Sequence, residues 1–142
     1  ASLVRQPVTL LMIDVDGLKP INDRDGHQAG DEALRRVAAQ LSRTFLRKSD
    51  VLARIGGDEF AVVLRDVAAD EGARAAGRLV EAVQRAGAVA AEATGSALLG
   101  VSVGVATLRP GEDAAAWVAR ADAALYVAKR SGKGRVEVAP EA

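Results

Sequence analysis

The chain is predicted to fold as one α/β domain, a mixed central sheet covered by helices, and three observations carry that prediction. Short runs rich in apolar and β-branched residues occur at 8–14, 51–55, 60–64 and 98–108. Longer stretches with apolar residues at helical spacing lie between and after them, an alternation that puts helices on the faces of a sheet. With 142 residues, 49% of them hydrophobic and only 3% aromatic, the chain is long enough to bury a single aliphatic core.

Each element has its own warrant. The run 8–14 is almost unbrokenly apolar and ends in acid, as a central strand does when its C-terminal end meets a ligand. Leu34, Val37, Ala38, Leu41 and Phe45 recur at helical spacing after Gly30 and Asp31. A helix is therefore expected over 31 to about 46, with Asp31 favouring its start. The runs 51–55 and 60–64 flank Gly56-Gly57, a pair that supplies the positive φ angles of a two-residue hairpin turn. Ala76, Leu79, Val80 and Val83 line one side of a second helix over 70 to about 84, weakened by Gly72 and Gly77. The stretch 86–95 has no clear period and is expected to be irregular or a weak strand. In the β-rich run 98–108, Val101, Val103 and Val105 alternate with Ser102, Gly104 and Ala106. A last helix over 113 to about 130 turns Trp117, Ala121, Ala124, Leu125 and Ala128 inward, and 135–138 is a terminal strand. No repeat or low-complexity linker divides the chain, so residues 1–142 are expected to form one domain.

Composition narrows the function. Nineteen acidic and nineteen basic residues cancel, which argues against a broad electrostatic footprint for nucleic acid or an anionic membrane. Any basic site must be local. With no cysteine there is neither a disulfide framework nor a thiolate metal site, and no apolar run is long enough to span a bilayer. A cytoplasmic location is the simplest expectation.

The chemistry concentrates at the hairpin. Without side chains at Gly56 and Gly57 the backbone can approach a bulky ligand closely, and Asp58 and Glu59 follow at the rim. Asp14 ends the first strand. If that strand pairs beside the hairpin, the Asp14 and Asp58 carboxylates converge at one sheet edge, where a hard divalent cation fits. Mg²⁺ takes a few oxygen ligands and completes its shell with water and substrate phosphates. Taken singly, such acids more often just end a strand or follow a turn.

The segment Arg54-Ile55-Gly56-Gly57-Asp58-Glu59-Phe60 resembles the signature loop of the GGDEF-domain family, the diguanylate cyclases. Three further stretches resemble the same family in the same order. They are Asp14-Val15-Asp16-Gly17-Leu18-Lys19-Pro20-Ile21-Asn22-Asp23, then Gly26-His27-Gln28-Ala29-Gly30-Asp31, and finally Ala121 through Lys129 with Ser131-Gly132-Lys133-Gly134-Arg135-Val136. The resemblance spans nearly the whole chain. It implies a palm-like, ferredoxin-type nucleotide cyclase core that condenses two GTP into cyclic di-GMP with release of pyrophosphate. The family's segment before the first strand is not in this sequence.

What the resemblance implies for single residues is specific. Asp14, the carbonyl of Val15, and Asp58 become metal ligands for Mg²⁺, with Mn²⁺ as an alternative. Asp58 also becomes the acceptor of the attacking hydroxyl's proton, and Glu59 a second metal or structural carboxylate. Asn22 and Asp31 become guanine readers, consistent with a carboxylate accepting from N1 and the exocyclic amine. Leu18 takes the place of the family's usual aromatic and packs near base and ribose, and Gly56 and Gly57 face the substrate. Lys19, Lys129 and Lys133 become triphosphate cations, although single lysines are usually just solvated. Arg47 and Asp50 match the family's Arg-x-x-Asp product-inhibition motif, otherwise a surface ion pair worth about 0–1 kcal/mol. His27 reads as a local hydrogen-bonding residue.

The leading expectation is thus a diguanylate cyclase acting as a homodimer, since each chain brings one GTP to face another, with a sensory or receiver domain fused upstream. The alternative is a catalytically silent module that binds GTP or cyclic di-GMP. A purely structural dimerisation unit would have no use for the phosphate and metal positions.

Overall fold

The computed structural model describes residues 6–94 and 99–140. Its elements follow the order β1 (Val8–Asp16), α1 (Leu18–Asp25), α2 (His27–Thr44), β2 (Val51–Arg54), β3 (Glu59–Arg65), α3 (Ala69–Thr94), β4 (Gly100–Thr107), α4 (Ala114–Arg130) and β5 (Val136–Val138). The strands form one sheet in the order β2-β3-β1-β4-β5, antiparallel except for the parallel β4–β5 pair at one edge.

β1 is the middle strand, which accounts for its unbroken apolar run: Thr9 to Ile13 are all buried. Its pleat divides the core in two. Leu11, Ile13 and Val15 join Ile21, Leu34, Val37, Leu41, Leu79 and Val83 under the helices α1, α2 and α3. Leu10 and Met12 face the opposite side, where Ala121, Ala124 and Leu125 of α4 cover them. Leu11, Ile13, Val37 and Leu79 are fully buried, each contributing about 1.5–3 kcal/mol. By the same alternation Asp14 and Asp16 lie on the α4 side of the sheet. The register sets Asp14 beside Glu59 on one neighbour and Ser102 on the other, so the polar ends of three strands meet beneath one helix.

α4 lies unusually close to that face. A methyl built on Gly104 would fall 2.2 Å from the Ala121 carbonyl oxygen and 2.4 Å from the Leu125 amide nitrogen. The helix backbone therefore rests on β4 itself. Asp113 caps its start, accepting from the Ala116 amide at 2.8 Å.

The structure corrects four boundaries. α1 was not expected; Gly17 and Gly26, both at positive φ, bound it, and Pro20 sits in its first turn, where a missing amide costs no hydrogen bond. α2 begins at His27, so Asp31 lies beyond the first turn, which holds no acid; a helix-start role for Asp31 does not apply. α3 continues through 86–94, the stretch expected to be irregular. That part is rich in alanine, the strongest helix former, and only Gly87 is buried among 84–92, so no apolar stripe betrays it. Gly87 abuts the Leu99 backbone, where a methyl would lie 2.8 Å from the carbonyl oxygen. Gly95 and Leu98 lie outside the described residues. The last strand starts at Val136. Among the described residues no helix is long and apolar enough to cross a membrane.

Candidate active site at the ends of the central strands

The hairpin between β2 and β3 is built differently from the two-residue turn expected. Ile55 donates to the Glu59 carbonyl at 2.9 Å, which leaves Gly56, Gly57 and Asp58 as a three-residue connection. Neither glycine has a positive φ. Arg54 braces the turn instead, its Nε and Nη2 donating to the carbonyls of Gly56 and Gly57 at 3.2 and 2.7 Å. The glycines contribute open space: a methyl on Gly57 meets nothing within 4 Å, and one on Gly56 meets only the Glu59 Cβ at 3.9 Å. The tip is bare backbone that a ligand can approach.

The Val15 amide donates to the Asp58 carbonyl at 3.0 Å and ties the turn to the end of β1. In an extended residue the amide and carbonyl leave the same edge of the strand, so the Val15 carbonyl also faces the turn. Asp14 carries a buried Oδ1 with no hydrogen-bond partner. Its other oxygen lies 3.3 Å from the Lys129 ammonium. The Asp14 pKa is raised from an ordinary 3.8 to about 6: burial is the largest cause, the Lys129 charge opposes it, and the neighbouring Asp58 and, less strongly, Glu59 raise it further. Two carboxylates that repel each other, one with an orphaned inward oxygen, together with a carbonyl, form a donor set suited to a hard cation. Among the described residues no group of three or more His, Cys, Asp or Glu side chains could hold a metal. A cation here would need water or phosphate oxygens to complete its shell.

Lys129 reaches this point from the last turn of α4, with Asp16 Oδ1 at 2.6 Å. Burial pulls the Lys129 pKa down, but its hydrogen bond to Asp16 and the charges of Asp16 and Asp14 outweigh that, and the net shift is upward. The ammonium stays charged at neutral pH.

On the other side of the sheet, a cavity of about 340 Å³ is lined by Asp31, Leu34, Arg35, Ala38, Arg54 and Phe60. Leu34 and Phe60 provide apolar walls and Asp31 a carboxylate at the exposed rim. Asn22 sits beside it: a methyl on Gly30 would fall 1.7 Å from Asn22 Oδ1, so the carboxamide occupies the space that Gly30 leaves. That oxygen is buried and without a partner.

A family model described as the diguanylate cyclase GGDEF domain matches residues 1–135. The chain belongs to the GGDEF family. This GGDEF domain is 44% identical over 132 residues to the probable diguanylate cyclase DgcC of Escherichia coli strain K12, covering 92% of this chain and 34% of that protein. It thus spans about a third of that relative's length. Among solved structures, the active GGEEF domain of a diguanylate cyclase from Vibrio cholerae superposes with a TM-score of 0.85 at 28% identity, covering 96% of this chain and 85% of that one. The GGDEF domain of DgcB from Caulobacter crescentus, in complex with c-di-GMP, gives a TM-score of 0.82 at 34% identity, covering 93% and 77%. The mixed sheet with helices on both faces is the fold of these cyclase domains.

Within the GGDEF domain the residues singled out in the sequence fall into several groups. Asp14, Val15, Asp58 and Lys129 come together, with Glu59 in register beside Asp14. Lys19 is exposed on α1 and pairs with Asp23 at 2.8 Å; Leu18 packs half-buried against the main core. Lys133 is exposed in the loop after α4, in a left-handed conformation at φ 63°. Arg47 and Asp50 lie in the loop before β2. Both Asp50 oxygens accept from Arg47, from the amide and from Nε at 3.1 Å each, and Arg47 Nη2 donates to the Arg65 carbonyl. The Asp50 side chain is almost wholly buried by this, so the pair also closes the loop. Sequence reasoning passed over Asp16, Gly30, Leu34 and Ser102. Asp16 had a signal: two residues from Asp14, it shares its face of the strand.

Proposed function

We propose that this GGDEF domain is a diguanylate cyclase, joining two GTP into cyclic di-GMP with release of two pyrophosphates. The observation that carries this reading is the Asp14 carboxylate, set beside Asp58 next to an open glycine turn, with one oxygen buried and unpartnered and the other facing the charged Lys129. The family membership and the fold shared with the active Vibrio cholerae domain support it.

Asp14, the Val15 carbonyl and Asp58 would hold Mg²⁺ or Mn²⁺. A cation bound there supplies charge for the α-phosphate and acidifies the attacking 3′-hydroxyl. The chain's own groups do the rest. Asp31 accepts from guanine N1 and its exocyclic amine while Asn22 turns its free oxygen and amide to the base, with Leu34 and Phe60 along its sides. Lys129, with Lys133 and Lys19 further out, neutralises the triphosphate, which lets a chain of zero net charge bind a strongly anionic substrate. The bare turn at Gly56 and Gly57 lets the α-phosphate come close to backbone. In each half-reaction a 3′-oxygen bonds to the partner's α-phosphorus, the bond to pyrophosphate breaks, and the proton passes to Asp58 or to solvent. Because one chain presents one GTP, two copies must face each other, and catalysis belongs to a homodimer. The c-di-GMP held by the DgcB domain supports a product site on this chain too, which we assign to Arg47 and Asp50. In the longer relatives the domain is part of a larger protein, in line with a sensory or receiver domain upstream.

The test is to incubate the chain with GTP and Mg²⁺ and separate the nucleotides. Cyclic di-GMP formed by the wild type and lost in Asp58→Asn, which removes a charge and keeps the turn's shape, upholds the reading. Tight GTP binding without turnover would establish a silent binding module instead.

A further inference from the structure

Asp16 has no part in the reaction just described, yet it is among the most heavily bonded side chains in the structure. It is 8% exposed. Its Oδ1 accepts from Lys129 at 2.6 Å, and its Oδ2 accepts from the Ser102 hydroxyl at 2.7 Å and the Gly134 amide at 3.0 Å. The Gly134 amide is shared with Ser102 Oγ at 3.1 Å. A buried carboxylate is costly unless its oxygens are satisfied, and these donors come from three separate places: the end of α4, the middle of β4 and the loop before β5. No local turn or cap needs them.

That loop is fixed from both sides. α4 ends at Arg130, Gly132 turns left-handed at φ 122°, and the Lys133 amide reaches back to the Ala128 carbonyl at 3.0 Å, the six-residue closure that follows many helices. Lys133 itself is left-handed, a conformation an L-residue holds only when its surroundings impose it. The next amide, Gly134, is the one Asp16 holds.

We propose that Asp16 is the positioning residue of the triphosphate site: it holds Lys129 directly in place beside Asp14 and, through the Gly134 amide, fixes the backbone that carries Lys133. The inference rests on the cyclase reading for the identity of the substrate, but what it asserts is that polyphosphate affinity depends on Asp16 through Lys129. Removing the Asp16 charge frees the lysine to swing onto Asp14, where it no longer meets phosphate.

The test measures binding of inorganic tripolyphosphate with Mg²⁺ by calorimetry, alongside KM and kcat for GTP, in wild type, Asp16→Asn, Lys129→Met and the double variant. Asp16→Asn keeps an acceptor for Ser102 and Gly134 but loses the charge. It is expected to weaken tripolyphosphate about tenfold, as loss of one charge-assisted contact does, and to raise the GTP KM while leaving the preference for GTP over ATP unchanged. In the Lys129→Met background the same change should add less than about twofold, because a residue acting through Lys129 has nothing left to position. Equal tripolyphosphate affinity in wild type and Asp16→Asn overturns the proposal, as does a full tenfold effect in both backgrounds, which marks a purely structural role. Should Asp16→Asn not fold, Ser102→Ala replaces it, with a loss of about threefold expected and wild-type affinity fatal. A wild type that makes no cyclic di-GMP but binds tripolyphosphate in an Asp16-dependent way refutes the cyclase reading alone. One that binds no tripolyphosphate refutes both.

Discussion

Gly104→Ala tests whether the contact between α4 and β4 sets the active site. The added methyl would sit 2.2 Å from the Ala121 carbonyl oxygen and 2.4 Å from the Leu125 amide nitrogen. Ordinary non-bonded separation is about 3.5 Å, so the helix must back away by about 1 Å. Both atoms belong to the backbone, and no side chain can rotate aside. Overpacking of this kind costs about 1–3 kcal/mol, which for a domain of this size lowers Tm by about 4–12 °C. The same displacement pulls Lys129 away from Asp16 and Asp14, and a misplacement of about 1 Å at a reacting centre can cost about a hundredfold in rate. Gly77→Ala on α3 is the control. A methyl there meets nothing within 4 Å, and exchanging a helical glycine for alanine should add about 1 kcal/mol. Thermal melts by circular dichroism, paired with cyclic di-GMP synthesis, measure both. Should Gly104→Ala melt within about 1 °C of wild type, the reasoning about direct backbone contact is wrong.

Other expectations follow from the same geometry. Asp31→Ser should admit ATP, since one base-edge contact is worth about 1–3 kcal/mol of discrimination; an unchanged GTP-to-ATP ratio removes Asp31 from the pocket. Asp14, with its pKa raised to about 6 chiefly by burial, holds its proton more tightly folded than unfolded. It therefore costs stability increasingly as pH rises from about 4 to about 6, and fully above that. A bound cation relieves the cost, so Mg²⁺ should raise Tm more at about pH 7.5 than at about pH 5, and equal gains would argue against Asp14 as a ligand. Arg47→Ala should weaken cyclic di-GMP binding about tenfold or more and also lower Tm, because it strips the guanidinium partner from the buried Asp50 carboxylate and leaves only the backbone amide; calorimetry with unchanged product affinity would leave Arg47 a loop clasp only. Activity per chain should rise with protein concentration until the dimer saturates, and a flat dilution series without an independently shown tight dimer contradicts two half-sites.

Much of this protein is determined by the sequence read as a line. The apolar run of β1, the helical spacing of Leu34, Val37 and Leu41, and the alternation of Val101, Val103 and Val105 are local patterns with local causes, so the fold class was legible in them. Asp14, Asp58 and the glycine turn were legible for the same reason. Where burial was not periodic, the pattern was silent: the alanine-rich end of α3 buries little, and α1 is a two-turn helix bounded by glycines. The turn itself misled, because Gly-Gly permits positive φ without requiring it, and the register of Ile55 with Glu59 left three residues to connect rather than two. Tertiary structure alone decided what Asp16 does. Its donors stand 86, 113 and 118 positions away, and no periodicity carries information over such separations. It is the close seating of α4 on Gly104 and the pairing of β1 with β4 that bring a lysine, a serine and a glycine amide to the same two oxygens.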